Sequence, residues 1–283
     1  MLKILFIIKI HIFHEKEVLI TLKILFLGTG AADWNINNRN ENEEFRRFSS
    51  ALIEDNLLID PGPHIFDYAE KNNCPNIFDN VKNIIVTHSH YDHFCSQSVK
   101  RLCAKTGCKL WGDNADMRKL MRDLSPDSYE SIPFYPLEIK STFAISENCS
   151  VIPLRANHAT DDKDETCLNY IIEYNGKRIF YGLDSGWIMY ENWLVMQKYK
   201  FDALIFEATI GDVEGDNRVF GHNNLKMVEI MTQTFRTQNI LNDNAKIIVS
   251  HMARTLHTPH AQLVKRLEPL NIIPAFDGME IEI

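Results

Sequence analysis

The chain contains no Cys-x-x-Cys pair; its six cysteines, Cys74, Cys95, Cys103, Cys108, Cys149 and Cys167, are scattered along 283 residues. That spacing excludes a thiolate zinc finger and a disulfide framework, and it fits free thiols in a reduced, cytoplasmic setting. Long apolar runs are missing too. Met1–Phe13 is apolar, but Lys3, Lys9 and His11 interrupt it and no small-residue cleavage site follows, so neither a membrane span nor a secretory leader is expected. Positive charge is in short supply: 30 Lys and Arg against 38 Asp and Glu give a formal net charge of −8, which argues against nucleic acid as the main partner. Gly28-Thr29-Gly30 follows an apolar run, but neither a Gly-x-Gly-x-x-Gly pattern nor a terminal Lys-Ser/Thr accompanies it. A nucleotide-binding loop is therefore disfavoured, and a tight turn that brings backbone close to a site is expected. No stretch rich in Gly, Ser or Pro divides the chain, so residues 23–283 read as one domain.

What is present is an ordinary globular composition, 45% apolar and 24% charged, and a clear succession of elements. Strands are expected over Lys23–Leu27, Val81–Val86, Lys109–Trp111, Ser150–Leu154, Asp202–Phe206 and Lys246–Ser250. Hairpins are expected at Ser50–Glu54 with Leu57–Ile59, and at Cys167–Tyr174 with Lys177–Leu183 around Asn175-Gly176, a pair suited to the positive φ angles of a two-residue turn. Helices are expected over Phe94–Thr106, Ala115–Leu124, Asn223–Gln238 and Pro259–Leu267. The polar, Asn-rich residues 33–46 read as a surface loop. Ser125–Ile139, with three prolines, reads as a loop near the pocket mouth, and the chain ends in strands flanking Asp277-Gly278.

The densest chemistry lies in Thr87-His88-Ser89-His90-Tyr91-Asp92-His93, directly after the Val81–Val86 strand. Three imidazoles and a carboxylate occupy one short turn. Such side chains suit hydrolytic metals, namely zinc, manganese or iron. A turn this short cannot wrap one ion tetrahedrally, so two adjacent ions are expected, each completed from elsewhere in the chain, as in metal-assisted hydrolysis. The remaining ligands are suggested by a regularity. His88, Asp184, Glu207 and His251 each sit just beyond an apolar strand, and His158 follows one closely, so all can converge on a shared edge. Asp60, before Pro61-Gly62, reads equally as a turn residue or as part of this constellation.

The Thr87–His93 motif resembles the defining motif of the metallo-β-lactamase superfamily. The resemblance implies an α/β fold, a four-layer αββα sandwich with its metal site at one edge. It further implies that His88, His90 and His158 hold one ion, that Asp92, His93 and His251 hold the second, and that Asp184 bridges them. Asp60 would match the aspartate that backs the ligands in that family. True zinc β-lactamases commonly carry cysteine where this chain has Asp184. Two divalent ions are implied, zinc first, with manganese or iron as alternatives. Relatives of this kind begin near Leu22-Lys23-Ile24-Leu25-Phe26, a run already seen as Leu2-Lys3-Ile4-Leu5-Phe6; residues 1–21 are accordingly read as an N-terminal appendage without chemistry.

Glu207 in Phe206-Glu207-Ala208-Thr209, together with Gly221-His222, resembles the phosphodiesterases of the superfamily, including the endonucleases that trim transfer-RNA 3′ ends. Catalysis is then assigned to Asp92 (also a ligand), to His222 as general acid, and to Glu207, which would orient His222 and keep it protonated. The alternatives are a helix-capping His222 and a structural, buried Glu207. Across residues 23–283 the landmarks Leu27–Ala32, Arg47–Ser50, Asn157-His158, Asp184-Ser185, Gly221–Leu225, Ser250-His251 and Phe276–Ile281 are most similar to the phosphoribosyl 1,2-cyclic phosphate phosphodiesterases of phosphonate metabolism. Some members carry a cysteine cluster for a structural metal where this chain has Asp33–Glu44, which contains no Cys, so no third metal is expected. The expected partner is a small phosphodiester substrate, with nucleic acid and membrane disfavoured and a homodimer in keeping with the family. Arg46, Arg47, Arg155 and Arg254 are candidate phosphate contacts, and His257 and His260 candidate rim residues; surface or ion-pair roles are the alternative. Rival activities are transfer-RNA processing, thioester or lactone hydrolysis, and a non-catalytic sensor or complex subunit.

Overall fold

Along the central strands, successive side chains enter different apolar layers. In β1 (Lys23–Gly28), Ile24 and Phe26 join one cluster while Leu25 and Leu27 join another. In β9 (Leu168–Tyr174), Tyr170, Ile172 and Tyr174 join the first while Ile171 enters a third. Period-two burial on both faces requires each sheet to be covered on both sides. The computed structural model describes residues 21–37 and 44–283; the appendage expected at residues 1–21 falls almost entirely outside them.

Among the described residues two seven-stranded sheets result. The first has the order β14-β1-β2-β3-β4-β5-β6, with β2 Ser50–Ile53, β3 Leu57–Ile59, β4 Asn83–Ile85, β5 Lys109–Gly112, β6 Phe134–Pro136 and β14 Glu280–Glu282. The second has the order β13-β12-β11-β10-β9-β8-β7, with β7 Phe143–Ser146, β8 Cys149–Arg155, β10 Lys177–Gly182, β11 Phe201–Glu207, β12 Leu241–Ser250 and β13 Ile272–Pro274. Both sheets run antiparallel on one side and parallel on the other, the parallel blocks being β3–β6 and β10–β13. One apolar cluster fills the space between the sheets. Helices α1 (Ile65–Lys71), α2 (Ser96–Thr106), α3 (Asn114–Asp123) and α4 (Pro126–Glu130) cover the outside of the first sheet; Tyr68, Val99, Leu102 and Leu120 bury there. Helices α5 (Tyr190–Met196), α6 (Leu225–Thr237) and α7 (His260–Leu267) cover the second through Met196, Val228, Phe235 and Leu263. Three apolar interfaces between four layers make the expected αββα sandwich.

The local signals hold where they rest on a conformational demand. Asn175 and Gly176 take φ 51° and 79° in a hairpin whose register pairs Tyr174 with Lys177. Gly107, at φ 67°, ends α2. Two expectations need correction, those for Ser125–Ile139 and for residues 33–46. Ser125–Ile139 is no loop: Pro126 starts α4, and Phe134–Pro136 forms β6 at a sheet edge, both places where a proline's missing N–H costs nothing. The strands expected to flank Asp277-Gly278 are present, β13 in the second sheet and β14 in the first. Residues 33–46 are not wholly a surface loop, because Trp34 and Arg46 are buried and the Trp34 indole donates to the Met252 carbonyl at 2.8 Å. The Gly28-Thr29-Gly30 turn packs its backbone against Phe48 and bonds Met252, the residue that follows His251. All six cysteines are free thiols, and the buried Cys103 and Cys108 sulfurs lie 3.0 Å apart. Among the described residues no helix is long and apolar enough to cross a membrane.

The turn after β3 yields a first prediction. Buried His64 stacks on Phe48 at 3.9 Å between ring centroids, and its Nδ1 accepts the Phe48 N–H at 3.2 Å. Burial, with Arg47 nearby, pushes its pKa down to about 4 despite the Asp67 and Asp92 carboxylates. Between the ordinary value of about 6.5 and that value the unfolded chain binds the extra proton, so stability is whole above that range and lost as pH falls through it. The loss should reach about 3 kcal/mol. Urea midpoints measured from pH 7 to 4 should therefore fall less steeply for His64→Gln than for the parent; parallel slopes would discount His64.

Candidate metal centre

Every residue of the centre lies at the C-terminal end of a strand or in the loop that follows. Asp60 follows β3, His88 to His93 follow β4, His158 follows β8, Asp184 follows β10, Glu207 ends β11 and His251 follows β12. Three of them turn sharply off their strands: Asp60, Asp184 and His251 have φ of 56°, 44° and 55°. Left-handed backbone at a non-glycine residue is costly and persists only where surrounding contacts enforce it. Gly62 allows the close approach of the Asp60 turn to the motif, since a Cβ there would lie 2.6 Å from the Asp92 carbonyl.

The side chains converge as two groups that share Asp184, with Glu207, His222 and His251 as a third cluster beside them. Around the first, His88 Nε2 lies 2.9 Å from His90 Nδ1, His158 Nε2 lies 3.2 Å from the same atom, and Asp184 Oδ2 stands 3.3 Å from His88 Nε2 and 3.6 Å from His158 Nε2. Around the second, His93 Nε2 is 3.1 Å from His251 Nε2, Asp92 Oδ2 is 3.4 Å from each, and Asp184 Oδ2 is 3.3 Å from His93 Nε2. Ligand atoms around a tetrahedral zinc ion, each 2.0–2.1 Å from it, would stand about 3.3 Å apart. The spacing thus suits one ion per group, and Asp184 belongs to both. Asp184 Oδ1 is buried with a His251 Nδ1 contact at 2.9 Å but no well-directed hydrogen bond, a costly state that a cation would relieve. The donor set and the poorly satisfied oxygen both fit a dinuclear site.

The electrostatics agree. Burial alone would raise the Asp184 and Asp92 pKa values, but the surrounding imidazoles, His251 and His93 for Asp184 and His93 and His251 for Asp92, hold both well below the carboxylate range. Burial and the neighbouring His93 push His88 well down. Each group is backed by a hydroxyl and a carboxylate. Asp60 Oδ2 accepts from His93 Nδ1 at 2.8 Å, and the Thr87 hydroxyl donates to Asp60 while lying 3.0 Å from His88 Nδ1. That arrangement directs both Nε2 atoms toward the centre. On the second sheet the Thr209 hydroxyl donates to Glu207 Oε2 and lies 2.9 Å from His251 Nδ1. Asp60 is therefore part of the constellation as well as a turn residue. Thr87 and Thr209 were not singled out from sequence; their signal was position, one residue before a ligand and two residues after a strand-end carboxylate.

His222 sits beside these groups, with Nδ1 3.4 Å from Glu207 Oε1 and 3.7 Å from Asp184 Oδ1. Burial opposes its charge, but the Glu207 and Asp184 carboxylates raise its pKa overall. It does not cap α6, because Asn224 does, accepting the Met227 N–H at 2.8 Å. Glu207 is fully buried; besides facing His222 it accepts the N–H groups of Asn223 and Thr209 at 2.5 and 2.7 Å. The arginines mostly serve the fold. Arg46 donates to Thr29 and the Ala275 carbonyl, Arg47 pairs with Asp67 and Asp277, and Arg254 reaches the Asp33 carbonyl, while Arg155 is exposed. His257 bonds the Ala208 carbonyl and His260 lies 3.1 Å from Arg46.

An αββα sandwich with paired His/Asp groups at the strand ends defines a metal-dependent hydrolase of the metallo-β-lactamase fold. The chain belongs to the beta-lactamase superfamily, whose domain model matches residues 55–263. Solved structures share the fold at low identity. A diphosphatase from the PhnP family is 16% identical with a TM-score of 0.70, over 93% of this chain and 98% of that one. Zn2+-bound PqqB from Methylobacterium extorquens is 14% identical with a TM-score of 0.68, over 92% and 100%. The short form of human tRNase Z is 18% identical with a TM-score of 0.63, over 92% and 98%. A comparison with curated protein sequences finds no match.

Proposed function

We propose that the protein is a dinuclear metal-dependent phosphodiesterase acting on a small phosphodiester, of the phosphoribosyl cyclic or cyclic-nucleotide kind. His88, His90 and His158 hold one ion, Asp92, His93 and His251 the other, and Asp184 both. Two divalent ions, zinc first among them, would supply Lewis-acid charge to the phosphoryl oxygens and a nucleophile from water at neutral pH. The observation that carries the reading is the His222–Glu207 pair. An imidazole outside the two ion groups stands beside the centre, clustered with Glu207 and His251, and the fully buried Glu207 carboxylate 3.4 Å away faces it. Such a group has work to do when an alkoxide must leave, and a sugar oxygen is one. Large exposed aromatic side chains lie near the ligands in sequence and could offer faces to the organic part of the substrate. Tyr91 is 64% exposed between His90 and Asp92, Trp187 43% exposed after Asp184, and Phe220 82% exposed before His222. A net charge of −8 favours a small ester over a long RNA.

One metal-loaded preparation assayed on a cyclic phosphate, bis(p-nitrophenyl) phosphate, precursor transfer RNA and a thioester tests the proposal. Turnover of both small phosphodiesters, well above the other two, is expected. Preferred cleavage of RNA would favour an endoribonuclease, and preferred thioester hydrolysis would sink the phosphodiesterase reading.

A further inference from the structure

The peptide carrying His88 and His90 is gripped at the residue between them. Ser89 donates its N–H to Glu165 Oε1 at 2.6 Å and its hydroxyl to Glu165 Oε2 at 2.7 Å, while its carbonyl accepts from the Lys119 ammonium. Glu165 is itself steadied by the Thr160 hydroxyl at 2.6 Å. The two elements that close on Ser89 come from different halves of the fold. Lys119 lies on α3, outside the first sheet, and Glu165 lies between β8 and β9 of the second, in the same connection as His158. That connection is tied to the motif a second time by the Leu168 N–H, which donates to the Thr87 carbonyl at 2.7 Å, and to α3 by the Arg118–Asp162 pair at 2.8 Å.

We infer that Glu165 is a positioning residue for the first metal group: by clamping Ser89 from the connection that carries His158, it sets the spacing of His88 and His90 relative to His158. Those three side chains must reach one ion from two sheets, and loop-borne ligands hold their geometry only when neighbouring contacts fix them. A carboxylate that accepts from both the N–H and the hydroxyl of one residue fixes that residue's position and orientation together. The second group has its own supports, Asp60 to His93 and Thr209 to His251, and has no contact with Glu165 among those described. The effect of Glu165 is therefore confined to one ion. The inference rests on the two-ion reading of the site and is independent of the substrate.

Metal affinity tested site by site decides it. In a His251→Ala background the first group remains, and in a His158→Ala background the second does. Zn2+ titration of each full-length protein against a chromophoric chelator, with and without Glu165→Ala, reads the two affinities separately. Glu165→Ala should weaken zinc binding about 10- to 100-fold in the first background and leave the second within about twofold. Glu165→Gln, which keeps one acceptor for the Ser89 N–H, should fall between and carries the test if the alanine variant does not fold. Equal weakening in both backgrounds would mark a general structural role and overturn the inference, as would no change in either. A parent protein that binds a single ion would overturn the two-ion reading and the clamp with it, whereas failure on phosphodiesters with the site-selective loss intact would overturn only the proposed reaction.

Discussion

Asp184→Asn should leave a folded protein that retains at most one tightly bound ion and loses turnover by on the order of 10³-fold or more. The asparagine keeps the shape of the side chain and tolerates the left-handed backbone at φ 44°, so the substitution removes charge without imposing strain. Charge is what the position supplies. Asp184 faces His88, His93, His158, His251 and His222 within 3.7 Å, and its buried Oδ1 has no well-directed hydrogen bond. Two cations held close together repel each other unless an anion stands between them, and a neutral amide screens far less. The folding of the ion-free protein should change little or improve. With no ion bound, His251 and His93, whose pKa values are raised, hold Asp184 anionic, and neutralising a carboxylate of that kind removes a buried charge. The measurements are metal content per chain after dialysis, and the melting temperature with and without chelator. Two ions per chain with near-normal turnover in Asp184→Asn would defeat the bridging role.

The placement of these groups was largely legible in the chain because strand ends are. Apolar runs stop where a polar residue must leave the core, and Asp60, His88, Asp184, Glu207 and His251 all stand at such stops. What could not be read was contact between loops far apart in sequence. Glu165 meets Ser89 across 76 positions, and Thr209 meets His251 across 42; an isolated Glu or Thr in a polar stretch carries no periodic signal. The misreading of Ser125–Ile139 has a different origin. Prolines in a polar stretch read as breakers, yet Pro126 sits at the start of a helix and Pro136 on an edge strand, where the ring's geometry is tolerated. The buried Arg46 was obscured in the same way, since an Arg within a polar run gives no hint that Thr29 and Ala275 will enclose it.

His222→Ala should divide substrates by their leaving group. With an alkoxide departing, as from a ribose cyclic phosphate, the transition state needs a proton donor, and turnover should fall on the order of 10²- to 10⁴-fold. With p-nitrophenolate departing, a stable anion, the donor contributes little, and the loss should be on the order of tenfold or less. Zinc content should be unchanged, because both ion groups are complete without His222. Glu207→Gln should show the same division in weaker form. It keeps acceptors for Thr209 and Asn223 but removes the charge that faces His222 Nδ1. Glu207 also reaches His251 through Thr209, so some loss at the second ion should accompany that variant and not His222→Ala. Equal losses on both substrates for His222→Ala, or zinc lost in step with activity, would place His222 among the supports of the metal centre and leave the leaving oxygen without a donor from this chain. Separation of the two substrates with metal intact would identify His222 as the group that adapts a general hydrolytic centre to phosphodiesters.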